Sequence, residues 1–159
     1  MADLDNWRVD LQSQDVETRA AAAENLCQLG EEAAEAAIDL VKACADEEPV
    51  QVWAVAALEE MGPPPASTLS QLIELAKDSQ AIVAYWAITL LGRVEDAGAQ
   101  SEGVLAELLL HAPDISVRER AAWALGRMGP KSQAALEALK TAAASDSVRL
   151  ARLAEEALS

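Results

Sequence analysis

Apolar residues recur along the chain in a two-helix rhythm. Four segments carry apolar side chains at i, i+4, i+8 and i+11, for example Val50, Ala54, Leu58 and Met61. That spacing lines one face of an α-helix. The segments begin at Thr18-Arg19, Val50-Gln51, Val83-Ala84 and Val117-Arg118, and their anchors are Leu26, Leu58, Leu91 and Leu125. A second apolar helix follows each, anchored by Leu40, Leu72, Leu105 and Leu139. Successive first anchors are 32, 33 and 34 residues apart, the second anchors step by the same distances, and the two anchors within a segment are always 14 apart. All length variation falls in the turn to the next segment, as expected when a helix pair is the rigid repeating unit.

Turn residues agree with the pattern. Gly30, Gly62 and Gly129 stand where each first helix must stop, in the position that favours a left-handed glycine. Pro63-Pro64-Pro65 and Pro130 follow, while the third segment departs with Glu95 in the glycine slot. Asp46, Asp78, Asp114 and Asp146 precede the next helix, where they suit capping. The spacing predicts a single domain over 1–159: a lead-in helix in 1–14, repeats near 15–46, 47–78, 79–113 and 114–145, and a closing helix in 146–159. End elements of that kind shield an otherwise open core.

The run Asp114-Ile115-Ser116-Val117-Arg118-Glu119-Arg120-Ala121-Ala122-Trp123-Ala124-Leu125-Gly126-Arg127-Met128-Gly129 resembles the first helix of short HEAT repeats, as does Asp15-Val16-Glu17-Thr18-Arg19 through Leu26. The nearest type is the phycobilisome-lyase-like subclass. The resemblance spans nearly the whole chain and implies an all-α, right-handed α-α superhelix of about ten helices, four pairs plus two caps. It implies function only as a class, because such repeats serve scaffolds, lyase subunits, oxygenases and DNA glycosylases.

Composition narrows the class. Ala (35) and Leu (21) dominate, Phe is absent and aromatic residues are 3%, which excludes an all-β fold. The net charge is −15, and residues 1–79 hold 17 acidic against 4 basic side chains. Such a chain repels phosphates, so neither nucleic acid nor an anionic membrane is expected as a partner. The opening Met1-Ala2-Asp3-Leu4-Asp5 has no signal-peptide pattern and no run is long enough to span a bilayer, so a cytoplasmic protein is expected.

Catalytic chemistry finds no foothold. His111 is the only histidine and falls near a helix end, so multi-histidine metal sites are excluded. Cys27 and Cys44 sit in helical stretches as small core residues. Gly126-x-x-Gly129 ends a helix instead of opening one, unlike a phosphate loop, and paired glutamates such as Glu31-Glu32 and Glu59-Glu60 read as solvated faces. No enzyme activity, cofactor or metal is expected.

What remains is a surface. In HEAT-like pairs the second helices line the concave side. Positions flanking each second anchor are expected to face outward there: Asp39 and Lys42, Gln71 and Glu74, Val104 and Glu107, Ala138 and Thr141, with Glu32 and Glu35 on the first of these helices. The face is acidic at its N-terminal end and suits a basic protein segment. Trp53 and Trp86 share one slot, 33 residues apart, where rings on adjacent helices about 8–10 Å apart stack. Trp123 lies on the wheel nearly opposite the core and is a candidate contact residue. The expected function is a non-catalytic scaffold for a protein partner, as a monomer or weak homodimer. The alternative is an accessory subunit of a phycobilin-lyase-like or chaperone-like complex.

Overall fold

A computed structural model of the chain describes residues 2–94 and 96–159, so the Glu95 slot lies outside the described residues. Among those residues the protein is all-α: α1 (Ala2–Asp10), α2 (Val16–Gln28), α3 (Ala37–Ala43), α4 (Glu48–Glu60), α5 (Leu69–Leu75), α6 (Ala81–Gly92), α7 (Gly98–His111), α8 (Ile115–Met128), α9 (Gln133–Ala143) and α10 (Val148–Leu158). Two 3-10 segments, Gly30–Ala36 and Ala66–Thr68, precede α3 and α5. The four pairs are α2/α3, α4/α5, α6/α7 and α8/α9. The ten helices and the absence of strands match the fold class read from the anchors.

The helices gather into two compact units, Met1–Gln71 (unit 1) and Leu72–Ser159 (unit 2), with α5 running across the division. In unit 1, α2 packs along α4, with α1 against α2 and α3 against α4. In unit 2, α6, α8 and α10 pack successively, while α7 packs on α8 and α9, and α9 on α10. All eight anchor leucines have 0% exposure. A fully buried leucine contributes roughly 1.5–3 kcal/mol, so the anchors supply much of the cohesion of each unit.

The first helices end as their glycines require. Gly30, Gly62 and Gly129 adopt φ of 58°, 74° and 67°, a region costly for any residue with a Cβ. Repeat 3 reaches the same conformation later, at Gly98 (φ 83°), where α7 begins. Helix starts are more varied than the aspartate pattern suggested. Asp114 caps α8, accepting the Ser116 N–H at 2.8 Å, and Asp15 caps α2 through the Thr18 N–H at 3.0 Å. These bonds, the Ser116 and Thr18 side chains foremost, hold both carboxyls below the usual range. Asp46 and Asp78 sit just before the cap positions of Glu47 and Gln80, and Ser147 rather than Asp146 caps α10.

The second helices differ between the units. α3 and α5 are seven residues long, whereas α7 and α9 have fourteen and eleven. Pro63, Pro64 and Pro65 lack N–H donors and restrict their neighbours, so repeat 2 restarts only at Ala66. Repeat 4 has one proline in the same turn and a serine, Ser132, whose hydroxyl accepts the Ala135 N–H at 3.1 Å and starts α9 at once.

Candidate protein-interaction surface

Unit 1 carries fifteen acidic against three basic residues, a net −12, and unit 2 twelve against nine, a net −3. Two of the three unit-1 cations are already engaged. Arg8 Nε donates to Asp39 Oδ2 at 2.7 Å. Arg19 grips Asp46 with two bonds, Nε to Oδ2 at 2.7 Å and Nη2 to Oδ1 at 2.9 Å. Each guanidinium is held above its ordinary value by its carboxylate partner, and Asp46 is held below its own by Arg19. Asp39 is therefore half-buried and neutralised rather than presented outward.

Three of the carboxylates without such partners lie together on the 3-10 segment Gly30–Ala36. Glu31, Glu32 and Glu35 are all exposed there, and their residue spacing leaves Ala33 and Ala36 to fill the core. A second acidic group surrounds Cys27. Burial, then the charges of Glu60, Glu24 and Glu59, raise its thiol pKa and hold it in the protonated form. Cys27 is half-buried, not a core residue, whereas Cys44 is fully buried and pushed up to about 12. Neither has the depressed pKa of a reactive thiolate.

The remaining outward positions separate into three groups. Lys42 and Gln71 in unit 1, and Glu74, Glu107 and Thr141 in unit 2, are exposed as their positions predict. Val104 is half-buried. Ala138 is 2% exposed, a correction: α9 turns this small residue into the core beside Leu139. His111 ends α7 on the surface, where a cation suits the helix dipole.

The tryptophans diverge as well. Trp53 is 36% exposed and stands beside the exposed Val52 on α4. Trp86, in the same repeat slot, is 8% exposed and packs edge-on to Tyr85, with ring centroids 5.6 Å apart. Burial takes Trp86 out of the candidate surface. The two rings lie in separate units. Trp123 is also corrected: it does not face open solvent opposite the core but is half-buried. Its ring covers Gly92 of α6, where an added Cβ would lie 2.6 Å from Trp123 Cζ3. Arg120 is sandwiched between the rings of Tyr85 and Trp123, at 4.4 and 4.6 Å, and also donates to the Tyr85 hydroxyl. Arg127 lies 5.9 Å from the same indole. Cation–π layers of this kind hold α8 on α6.

One buried carboxylate escaped the sequence reading. Glu102 on α7 accepts the Lys131 and Ser132 N–H groups at 2.9 and 2.8 Å. Burial pushes its carboxyl up, but those N–H groups and the Ser132 side chain outweigh it and hold the pKa below the ordinary value. Glu102 clamps the turn into α9 and is structural. Among the described residues no three His, Cys, Asp or Glu side chains are grouped to hold a metal, and no helix is long and apolar enough to cross a membrane.

Paired helices with exposed polar flanks define the class: an α-helical repeat protein of the kind that generally scaffolds protein interactions. Residues 69–159 match the family model for HEAT repeats, and the chain belongs to that family. No curated protein sequence matches it. Among solved structures, a designed armadillo repeat protein in complex with the peptide (KR)4 is similar with a TM-score of 0.67 and 22% identity, covering 98% of this chain and 80% of that one. An engineered protein matches at TM-score 0.64 and 25% identity, over 99% and 80%. The complex of CpcE and CpcF of phycocyanin lyase from Nostoc sp. PCC7120 matches at TM-score 0.62 and 21% identity, over 99% of both chains. At these identities the likeness is one of fold.

Proposed function

We propose that the chain is a non-catalytic docking module that receives a basic protein segment on unit 1. The observation that carries this reading is the set of exposed carboxylates Glu31, Glu32 and Glu35 in a unit whose arginines are already spent on Asp39 and Asp46. A net −12 on one compact unit raises the local concentration of a cationic partner and speeds its encounter. Gln71 adds an exposed polar position on the same unit, and Trp53 offers a partly open ring as an anchor. The designed armadillo protein solved with (KR)4 is a precedent for a basic peptide on a fold of this kind. Trp123, packed over Gly92 inside unit 2, is left out of the docking surface.

The test is a titration with (Lys-Arg)4 followed by calorimetry. Affinity should fall at least tenfold as salt rises from about 20 mM to about 300 mM, because exposed charges are screened over that range. Replacing Glu31, Glu32 and Glu35 together by Gln should weaken binding several-fold while the melting temperature stays put. Binding indifferent to both salt and these substitutions refutes the reading.

A second reading, an accessory subunit of a phycobilin-lyase-like or chaperone-like complex, is favoured by the fold match that spans 99% of this chain and 99% of the matched chain from the CpcE and CpcF complex. It requires the chain to change the visible absorbance of an added phycobilin. An unchanged spectrum removes it.

A further inference from the structure

The position after each first-helix start is filled by Arg19, Gln51, Ala84 and Arg118 in successive repeats. Three of the four side chains bridge to a neighbouring turn. Arg19 Nη1 donates to the Ser13 carbonyl at 2.8 Å in the turn before α2, while its other nitrogens hold Asp46 in the turn after α3. Gln51 Nε2 donates to the Cys44 carbonyl at 2.8 Å, and Arg118 Nε to the Leu109 carbonyl at 3.0 Å. Each closes the end of a preceding element. Ala84 reaches nothing. At that place in unit 2 lies a cavity of about 460 Å³, floored by Ala84, with Ala76, Asp78 and Ser79 on one side and Pro113 and Asp114 on the other. The same two turns, before the first helix and after the second, flank the Arg19 side chain in repeat 1.

We propose that this cavity receives the arginine side chain of a protein partner, supplying from outside the guanidinium that repeat 1 supplies from Arg19. The proposal rests on the reading of the chain as a docking module for basic segments, and it names a site in unit 2 and the side chain that enters it. Asp114 takes the part of Asp46. Asp46 Oδ1 accepts the Glu47 N–H at 2.7 Å while also holding Arg19, so a turn aspartate can accept a backbone N–H and bind a guanidinium together. Asp114 Oδ1 accepts both the Ser116 N–H at 2.8 Å and the Ser116 hydroxyl, and Asp78 Oδ1 accepts the Gln80 N–H at 2.8 Å. The alanine and proline walls suit an aliphatic stem. Lys77 on the rim is drawn to Glu74 at 3.0 Å. The weakly hydrated, planar guanidinium fits such a half-enclosed acidic slot better than an ammonium does.

The test titrates the 15N-labelled chain with the peptide Ac-Gly-Arg-Gly-NH2 and its lysine and citrulline counterparts. Saturable amide shifts are expected at Ser79, Ala84 and Asp114 for arginine, at least fivefold weaker binding for lysine, and none for the neutral citrulline. Ala84→Arg fills the cavity from within and should abolish the shifts. Asp114→Asn keeps a capping side chain but removes the charge, and should weaken binding at least fivefold even if Ala84→Arg fails to fold. Arginine-peptide shifts that are absent from these three amides, or that persist in Ala84→Arg or are unchanged in Asp114→Asn, overturn the proposal. Shifts confined to Glu31, Glu32 and Glu35 would sink this site and leave the docking reading standing. Shifts at the cavity, with (Lys-Arg)4 binding insensitive to the glutamate substitutions, would do the reverse.

Discussion

Repeat 1 and repeat 3 have the same interior and different exteriors. Leu26 and Leu40 in one, Leu91 and Leu105 in the other, are equally inaccessible to water. Around that shared core, repeat 1 has a seven-residue second helix preceded by an acidic 3-10 segment, and repeat 3 has a fourteen-residue helix. Repeat 1 fills the slot between its turns with Arg19, and repeat 3 leaves it to Ala84. The difference teaches that the repeat is defined by what it buries, whereas recognition is written in positions that the core does not constrain.

The comparison can be broken most forcefully at the core. Leu26→Ala in repeat 1 and Leu91→Ala in repeat 3 should each cost about 2–5 kcal/mol, measured by denaturant unfolding, because both side chains are wholly buried. Clearly unequal losses would show that the two interiors are not equivalent. Next comes Gly92→Ala, which should destabilise by about 1–3 kcal/mol despite alanine's higher helix propensity. The new Cβ would meet Trp123 at 2.6 Å and the Ala124 backbone at 3.2 Å, whereas Gly30 and Gly62 in unit 1 have nothing within 4 Å. A stabilised Gly92→Ala variant would show that α6 and α8 are not held by close approach.

Arg19→Ala should lower the unfolding midpoint measurably by removing the bidentate partner of a largely covered Asp46. The corresponding position 84 already lacks the group, so Ala84→Gly should show a loss from helix propensity and one buried methyl, about 1–2 kcal/mol, that is indifferent to Asp114→Asn. Comparable losses with and without Asp46→Asn in the background would mean that the ion pair is not what Arg19 contributes. The smallest effect is in acid. Glu102 has a lowered folded pKa, so its contribution is complete above the unfolded value near 4.5 and is lost as pH falls through the folded one. Glu102→Gln should flatten the stability-versus-pH curve below about pH 4.5 relative to the parent chain. An unaltered acid limb would show that the carboxylate carries no charge-dependent bond to the α9 turn.

Much of the fold was legible because the anchors recur at fixed helical spacing and a buried leucine leaves a periodic trace. The left-handed glycines were legible for a similar reason, since few residues tolerate their φ. The candidate surface was less so. Glu32, Glu35, Gln71, Glu74 and Glu107 are exposed where the helical wheel places them. Asp39 is not free, because Arg8 comes from a helix 31 residues earlier. Trp86 and Trp123 were misjudged because a single-helix wheel takes no account of neighbouring helices. The slot shared by Arg19, Gln51, Ala84 and Arg118 was visible in the aligned repeats, but its meaning depended on seeing which turns those side chains reach.

By itself the order of residues determined the all-α class, the spacing of the helices and the leucines that are buried, because these follow from local periodicity and from the cost of exposing apolar faces. Only the tertiary structure decided which charges are cancelled, which rings are covered and where a cavity is left. Those outcomes depend on distances between side chains far apart in the chain, which neither spacing nor propensity encodes.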